Sequence, residues 1–168
     1  PAISADGSQV AFYTMADNLV ADTRDFNNGE DVILHDVAAG TNAYATLHAP
    51  GEPSVTPDAQ SVLRGLSADG RFVLYESAAA NLVAGQVDVN RGTDVFLRDR
   101  ATGTNLLVSH AASGPALAGN DQSSSSALSA DGRFVAFVSV ATNLAAGVTD
   151  RTIQDPVPGQ PLSYPGVF

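Results

Sequence analysis

Cysteine and lysine are both missing from the 168 residues. Without thiols the chain has no disulfide, no thiolate nucleophile and no Cys-ligated zinc, although that absence says little about redox compartment. Its 8 basic residues are all arginine and face 18 carboxylates, for a formal net charge of -10 and an isoelectric point near 4.3. A nucleic-acid-binding surface needs the opposite sign, so that class is set aside. No apolar run approaches the roughly 18 residues that span a bilayer, and the chain does not start with a basic segment followed by an apolar one. No long window sustains the 3.6-residue apolar spacing of a helix; Ala78 to Val83 allows at most one helical turn. The length suits one domain rather than two. Absent lysine beside abundant Ala, Gly and Val points to a GC-rich bacterial genome.

What the chain does have is repetition. Pro1 to Phe12 reads PAISADGSQVAF, Gly65 to Leu74 reads GLSADGRFVL, and Ala127 to Phe137 reads ALSADGRFVAF. Ser4, Ser67 and Ser129 are offset by 63 and then 62 residues. The same offset carries Asn18-Leu19 onto Asn81-Leu82 and Asn143-Leu144, Glu30 to Asp36 onto Thr93 to Asp99, and Ala39 to Asn42 onto Thr102 to Asn105. Each unit holds short runs of β-branched and aromatic residues between turn residues, as in Arg71 to Ser77, Asp94 to Arg98 and Asn105 to Ser109. With the run leading into Ser67, that makes about four strands per unit, and the chain is expected to be all-β. The Ala-Asp-Gly of each unit is expected to form a two-residue hairpin turn, with Asp-Gly supplying positive φ.

A repeat of four antiparallel strands is one blade of a β-propeller. The Ser-Ala-Asp-Gly-Arg-Phe-Val-Ala-Phe run, followed by Asp-Val-Phe-Leu-Arg-Asp and Ala-Thr-Gly-Thr, resembles the TolB-like, WD-repeat-like propeller blade. That pattern has a Ser-Pro-Asp-Gly turn, an apolar strand, and an Asp-hydrophobic strand ending in Asp; here Ala stands for Pro in all three copies. The resemblance reaches to about Thr149 and implies a fold more than a function.

The expected organisation is blade 1 over 1–64, blade 2 over 65–126, the opening of blade 3 over 127–150, and a proline-rich tail or cut end over 151–168. Propellers close with about 4 to 8 blades, and about two and a half make only a partial propeller. Three readings follow: a piece of a longer propeller, as Pro1 in place of an initiator Met suggests; closure by further copies or another chain; or an open stack whose edges need covering.

The most chemical-looking element is a loop present twice as D-x-N-x-G-x-D: Asp25, Asn27, Gly29, Asp31, and Asp88, Asn90, Gly92, Asp94. Alternate Asp and Asn oxygens on a loop bent at glycine suit calcium and match the front half of an EF-hand loop. Asp36 and Asp99 occupy position 12 but lie beyond a strand rising about 3.3 Å per residue, which excludes the full EF-hand. Two readings stay open: a half-site for Ca2+, or Asx-turns at a blade corner. The third copy, Asp150 to Pro156, loses the Asn, the Gly and the last Asp, and any site there is expected to be dead.

Asp6, Asp69 and Asp131 are expected to serve their own turns, and Asn18, Asn81 and Asn143 to bond backbone in a bend. His35, His48 and His110 are too scattered for a metal motif. No G-x-S-x-G elbow is present. Gly119 to Ser126, with its four serines, reads as a solvated linker between blades. The leading expectation is a non-catalytic binding or scaffold module of an exported bacterial protein, periplasmic or extracellular. Its partner would be a protein or further copies of itself. The resemblance and the acidic composition suggest export. The alternatives are the propeller portion of a larger hydrolase, since related propellers gate peptidase domains, and a self-assembling subunit of a ring or filament.

Overall fold

Strands form where the apolar runs lie between turn residues, and they pair with their neighbours in sequence. In the computed structural model, β1 (Ala2–Ile3), β2 (Gln9–Thr14), β3 (Asp31–Asp36) and β4 (Thr41–Tyr44) make one antiparallel sheet in chain order. A second such sheet holds β5 (Ser61–Leu66), β6 (Phe72–Ser77), β7 (Asp94–Asp99) and β8 (Thr104–Leu107). The third begins with β9 (Ser123–Leu128) and β10 (Val135–Ser139). The structure describes residues 1–21, 25, 27–49 and 56–147, and the backbone of 153–154, 161–162 and 166–167. Among these there is no helix, and the chain is all-β with the four-stranded antiparallel sheets of a partial propeller.

Register repeats with the sequence. Gln9 to Thr14 pair with Asp36 to Asp31, and Phe72 to Ser77 pair with Asp99 to Asp94. Beyond Asp150, β11 (Ile153–Gln154) pairs with β12 (Pro161–Leu162). Then β13 (Gly166–Val167) joins β10, Gly166 opposite Ser139 as Asp94 is opposite Ser77. The segment expected as a proline-rich tail thus supplies the third strand of the last sheet. The divisions at 64/65 and 126/127 pass through β5 and β9, because each sheet starts with the strand that leads into the Ser-Ala-Asp-Gly turn.

That turn is wider than the two-residue hairpin expected from Asp-Gly. Ser4 N–H donates to Gln9 O at 2.9 Å, which leaves Ala5 to Ser8 as the loop, and positive φ falls on Gly7 and not on Asp6. The Ser4 hydroxyl donates to Asp6 Oδ1 at 2.6 Å and accepts from Gln9 N–H at 3.0 Å. Ser67–Asp69 and Ser129–Asp131 repeat this at 2.6 Å each. The side chains close the turn locally, so four residues fold as tightly as two.

Of Gly119 to Ser126, expected as a solvated linker, Asn120 to Gln122 are an exposed linker, but the four serines open β9. Ser123 is fully buried, its hydroxyl 2.8 Å from that of Ser139, as Ser61 is 3.0 Å from Ser77. Small hydroxyls satisfy each other there where a larger polar group would not fit.

The core lies between sheets. Ala11, Val32 and Leu34 of the first sheet meet Leu63, Val73, Tyr75, Phe96 and Leu107 of the second. Tyr75 and Phe96 stack with centroids 5.6 Å apart. The other face of the second sheet, through Leu74, Val95 and Leu97, meets Phe137, Leu128 and Val135 of the third. Hence β6, covered on both sides, is buried from Val73 to Ser77, while β2 at the end of the stack alternates in burial from Gln9 to Phe12. Each fully buried aromatic contributes about 1.5–3 kcal/mol.

Candidate functional site

The D-x-N-x-G-x-D loops lead into β3 and β7, each within its own sheet, and lie against the linker that runs to the next sheet. Asp25 Oδ1 accepts the Asn27 N–H at 2.9 Å, and Asp88 Oδ1 accepts the N–H groups of Asn90 at 3.1 Å and Arg91 at 2.8 Å. These are Asx-turns. The asparagine amides then reach across the junction. Asn27 Nδ2 donates to Pro57 O at 3.1 Å, and Asn90 Nδ2 to Gly119 O at 2.6 Å. The backbone does the same, with Ser61 N–H donating to Glu30 O at 2.6 Å and Ser123 N–H to Thr93 O at 2.7 Å. The bend is made by positive φ at Asn28 and Arg91 and not at the glycines, as the sequence suggested. Gly29 and Gly92 serve another purpose: a Cβ there would crowd the Asn27 and Asn90 Oδ1 atoms and come within 3.1 and 3.3 Å of the Cβ atoms of Gln60 and Gln122, just before the next sheet.

The last Asp of each loop turns inward. Asp31 and Asp94 are almost fully buried, and each accepts a bond from the hydroxyl two residues past the fourth strand, Thr46 at 3.0 Å and Ser109 at 2.7 Å. Those hydroxyls also accept the N–H groups of Val32 and Val95. Burial pushes the Asp94 carboxyl up to about 7; the Ser109 hydrogen bond opposes this and the charge of Asp88 adds to it. Burial likewise raises Asp31 to about 6, opposed by Thr46 and reinforced by Asp25. Asp88 Oδ2 is buried with no hydrogen-bond partner.

Each loop therefore brings two carboxylates together, Asp25 with Asp31 and Asp88 with Asp94. The asparagine oxygens are not free: Asn27 and Asn90 Oδ1 accept the N–H groups of Gly29 and Gly92. An incoming cation would be held by the Asp pair, with the Asn side chains serving the fold. Among the described residues no group of three or more His, Asp or Glu side chains converges. The third copy, Asp150 to Pro156, lies outside the described residues apart from the backbone of 153–154.

The other candidates serve the fold. Asp6, Asp69 and Asp131 are held below the ordinary carboxylate range by the serine hydroxyls beside them. Asn81 accepts Asp58 N–H at 3.1 Å and Asn143 accepts Asn120 N–H at 2.9 Å, so each fastens the linker that arrives from the preceding sheet. His35 Nδ1 lies 2.9 Å from Asn42 Oδ1. His48 and His110 each place Nδ1 on the carbonyl of the next residue, Ala49 and Ala111. They are repeat partners, a relation the 62-residue offset already contained.

Sequence reasoning missed the groove between the first two sheets. A cavity of about 330 Å³ there is lined by Gln9, Asp36, Arg98 and Arg100. It also missed Glu76, which is 2% exposed, pairs with Arg64 at 2.7 Å and accepts the Ser126 N–H at 2.9 Å from the next sheet. No residue pattern announced it, because its counterpart in the first unit is Tyr13.

No protein-family model and no curated protein matches the chain. Among solved structures it is similar to TolB from Acinetobacter baumannii, at 17% identity and a TM-score of 0.45, over 96% of this chain and 30% of that one. The chain thus spans about a third of the length of that structure.

Proposed function

We propose that the chain is a non-catalytic binding and scaffold module of an exported bacterial protein, periplasmic or extracellular, made of TolB-like propeller blades, and that calcium steadies its two junction loops. The observation that carries this reading is how the repeated polar residues are used. The serines and aspartates of the turns, the asparagines of the bends and the hydroxyls of Thr46 and Ser109 are engaged in turns and junctions, so the repeats build a rigid array that presents its loops. The exception is the Asp88–Asp94 pair, whose buried Asp88 Oδ2 has no donor. A hard cation is the partner two close carboxylates lack, and extracellular calcium is abundant enough for a weak site.

The test is thermal unfolding of the chain at pH 8 in calcium and in chelator. Calcium binding to the folded state alone raises the melting temperature in proportion to the logarithm of its concentration. The double substitution Asp88→Asn, Asp94→Asn is expected to reduce that rise, and adding Asp25→Asn and Asp31→Asn to remove it. A melting temperature indifferent to calcium would reduce the loops to inter-sheet turns.

A further inference from the structure

The groove between the first two sheets forms where the sequence departs from its own repeat. Gln9 pairs with Asp36 as Phe72 pairs with Asp99, and Ala43 pairs with Leu34 as Leu106 pairs with Leu97. An amide and a methyl thus line the cavity of about 330 Å³ at positions where the next unit carries a ring and an isobutyl group. The groove lies inside the stack, between two sheets that the chain itself supplies.

Its polar lining is unmatched in two ways. Gln9 is 8% exposed and gives its Nε2 to Asp36 Oδ2 at 2.9 Å, which leaves Oε1 buried with no hydrogen-bond partner. A buried acceptor in that state costs stability until a donor reaches it. Arg98 and Arg100, two residues apart on one face of the second sheet, line the same groove, and among the described residues neither forms an ion pair. Arg100 Nη1 donates to Gly70 O at 2.8 Å, and Arg98 Nη1 has only a long bond of 3.5 Å to Asn105 Oδ1, out of five N–H donors on each guanidinium. Asp36 is engaged by Gln9 and by the Ala39 N–H at 2.9 Å. Two guanidiniums against one carboxylate make this groove locally cationic in a chain of net charge -10. The rest of the wall is apolar, with Leu34, Ala43 and Leu47.

We propose that the groove binds a small aliphatic amino or hydroxy acid. Its carboxylate lies on Arg98 and Arg100, its ammonium or hydroxyl donates to Gln9 Oε1, and its hydrocarbon tail packs against Leu34, Ala43 and Leu47. The carboxylate supplies the counter-charge that the arginines lack, in the bidentate geometry a guanidinium favours, and the donor satisfies the buried amide oxygen. The volume falls in the range of small-ligand sites, about 300–1,000 Å³. The inference goes beyond the junction loops: the groove lies at the Asp36 end of β3 and the loop at its Asp31 end, so a melting temperature indifferent to calcium leaves it untouched.

Calorimetric titration and amide NMR of the chain at pH 7 test it with four probes that share one tail: leucine, 2-hydroxy-4-methylpentanoate, 4-methylpentanoate and 3-methylbutylamine. Leucine or its hydroxy analogue is expected to saturate one site with a Kd of about 1 mM or tighter, shifting the amides of Ala43, Leu47 and Arg98. The acid without a donor and the amine without a carboxylate are each expected to bind about tenfold more weakly or worse. Arg98→Gln is expected to weaken binding by about tenfold. Ala43→Leu, which installs the next unit's own residue, is expected to fill the groove and abolish binding while the chain keeps its circular dichroism and melting transition. No saturable binding of either acid, equal binding of 4-methylpentanoate, or binding unchanged in Ala43→Leu would overturn the proposal.

Discussion

Asp31 and Asp94 are carboxylates placed where water does not reach, and their cost is readable as a pH dependence. Asp94 titrates near 3.8 when unfolded and about 7 when folded. Between those values the folded chain holds a proton the unfolded chain has released, so stability falls as pH rises through the window and the loss is complete above it. Asp31 acts in the same sense up to about 6. Without calcium, Asp94→Asn is therefore expected to raise the melting temperature at pH 8 by the roughly 2–4 °C that 1 kcal/mol makes at this length. It should have no effect at pH 3.5; equal shifts at both pH values would show that the carboxyl is not the cause. Ser109 is the other lever. Its buried hydroxyl serves both Asp94 and the Val95 N–H, and Ser109→Ala is expected to cost about 1–3 kcal/mol in denaturant unfolding. The D-x-N-x-G-x-D spacing was plain in the sequence, but the partners of Asn27 and Asn90 lie 30 and 29 residues away. Nothing in the motif reveals that its asparagines fasten the next sheet.

At the scale of the element, the Ser-Ala-Asp-Gly turn shows what a sequence displays and what it hides. Its internal bonds, Ser67 to Asp69 and Phe72 N–H to Ser67, span at most five residues and follow from residue type. The bond from Ala68 N–H to Ala130 O does not, because it joins backbone atoms of two units. Alanine in place of proline keeps that donor. Ala68→Pro is expected to weaken the second junction by about 1 kcal/mol in denaturant unfolding, while Ala130→Pro is neutral in the single chain. Glycine gives a parallel contrast. Gly7→Ala and Gly132→Ala both place an L side chain at φ near +70°, a cost of roughly 1–2 kcal/mol. Only Gly132→Ala also meets the Phe72 ring. The larger destabilisation is expected at Gly132; equal losses would mean that Phe72 does not pack there. The serine run of β9 was misread because four polar residues resemble a loop, whereas Ser123 is chosen to fit against Ser139.

Across the whole molecule, the stacking of sheets follows from the 62- to 63-residue repeat, which makes one four-stranded unit and leaves its apolar faces to be covered by the next. The repeat did not show how the last sheet acquires β13 from beyond Asp150, since Gly166 and Val167 match no part of the repeated motif. The sheets are fastened through a ladder of alanine amides running from turn to turn. Amide hydrogen exchange of the chain, followed residue by residue by NMR, tests it most directly. The Ala5 and Ala68 amides are predicted to exchange slowly, with Ala130, one turn along the same motif, exchanging at the rate of open chain. Fast exchange at all three would contradict the ladder and with it the junctions on which the array is built.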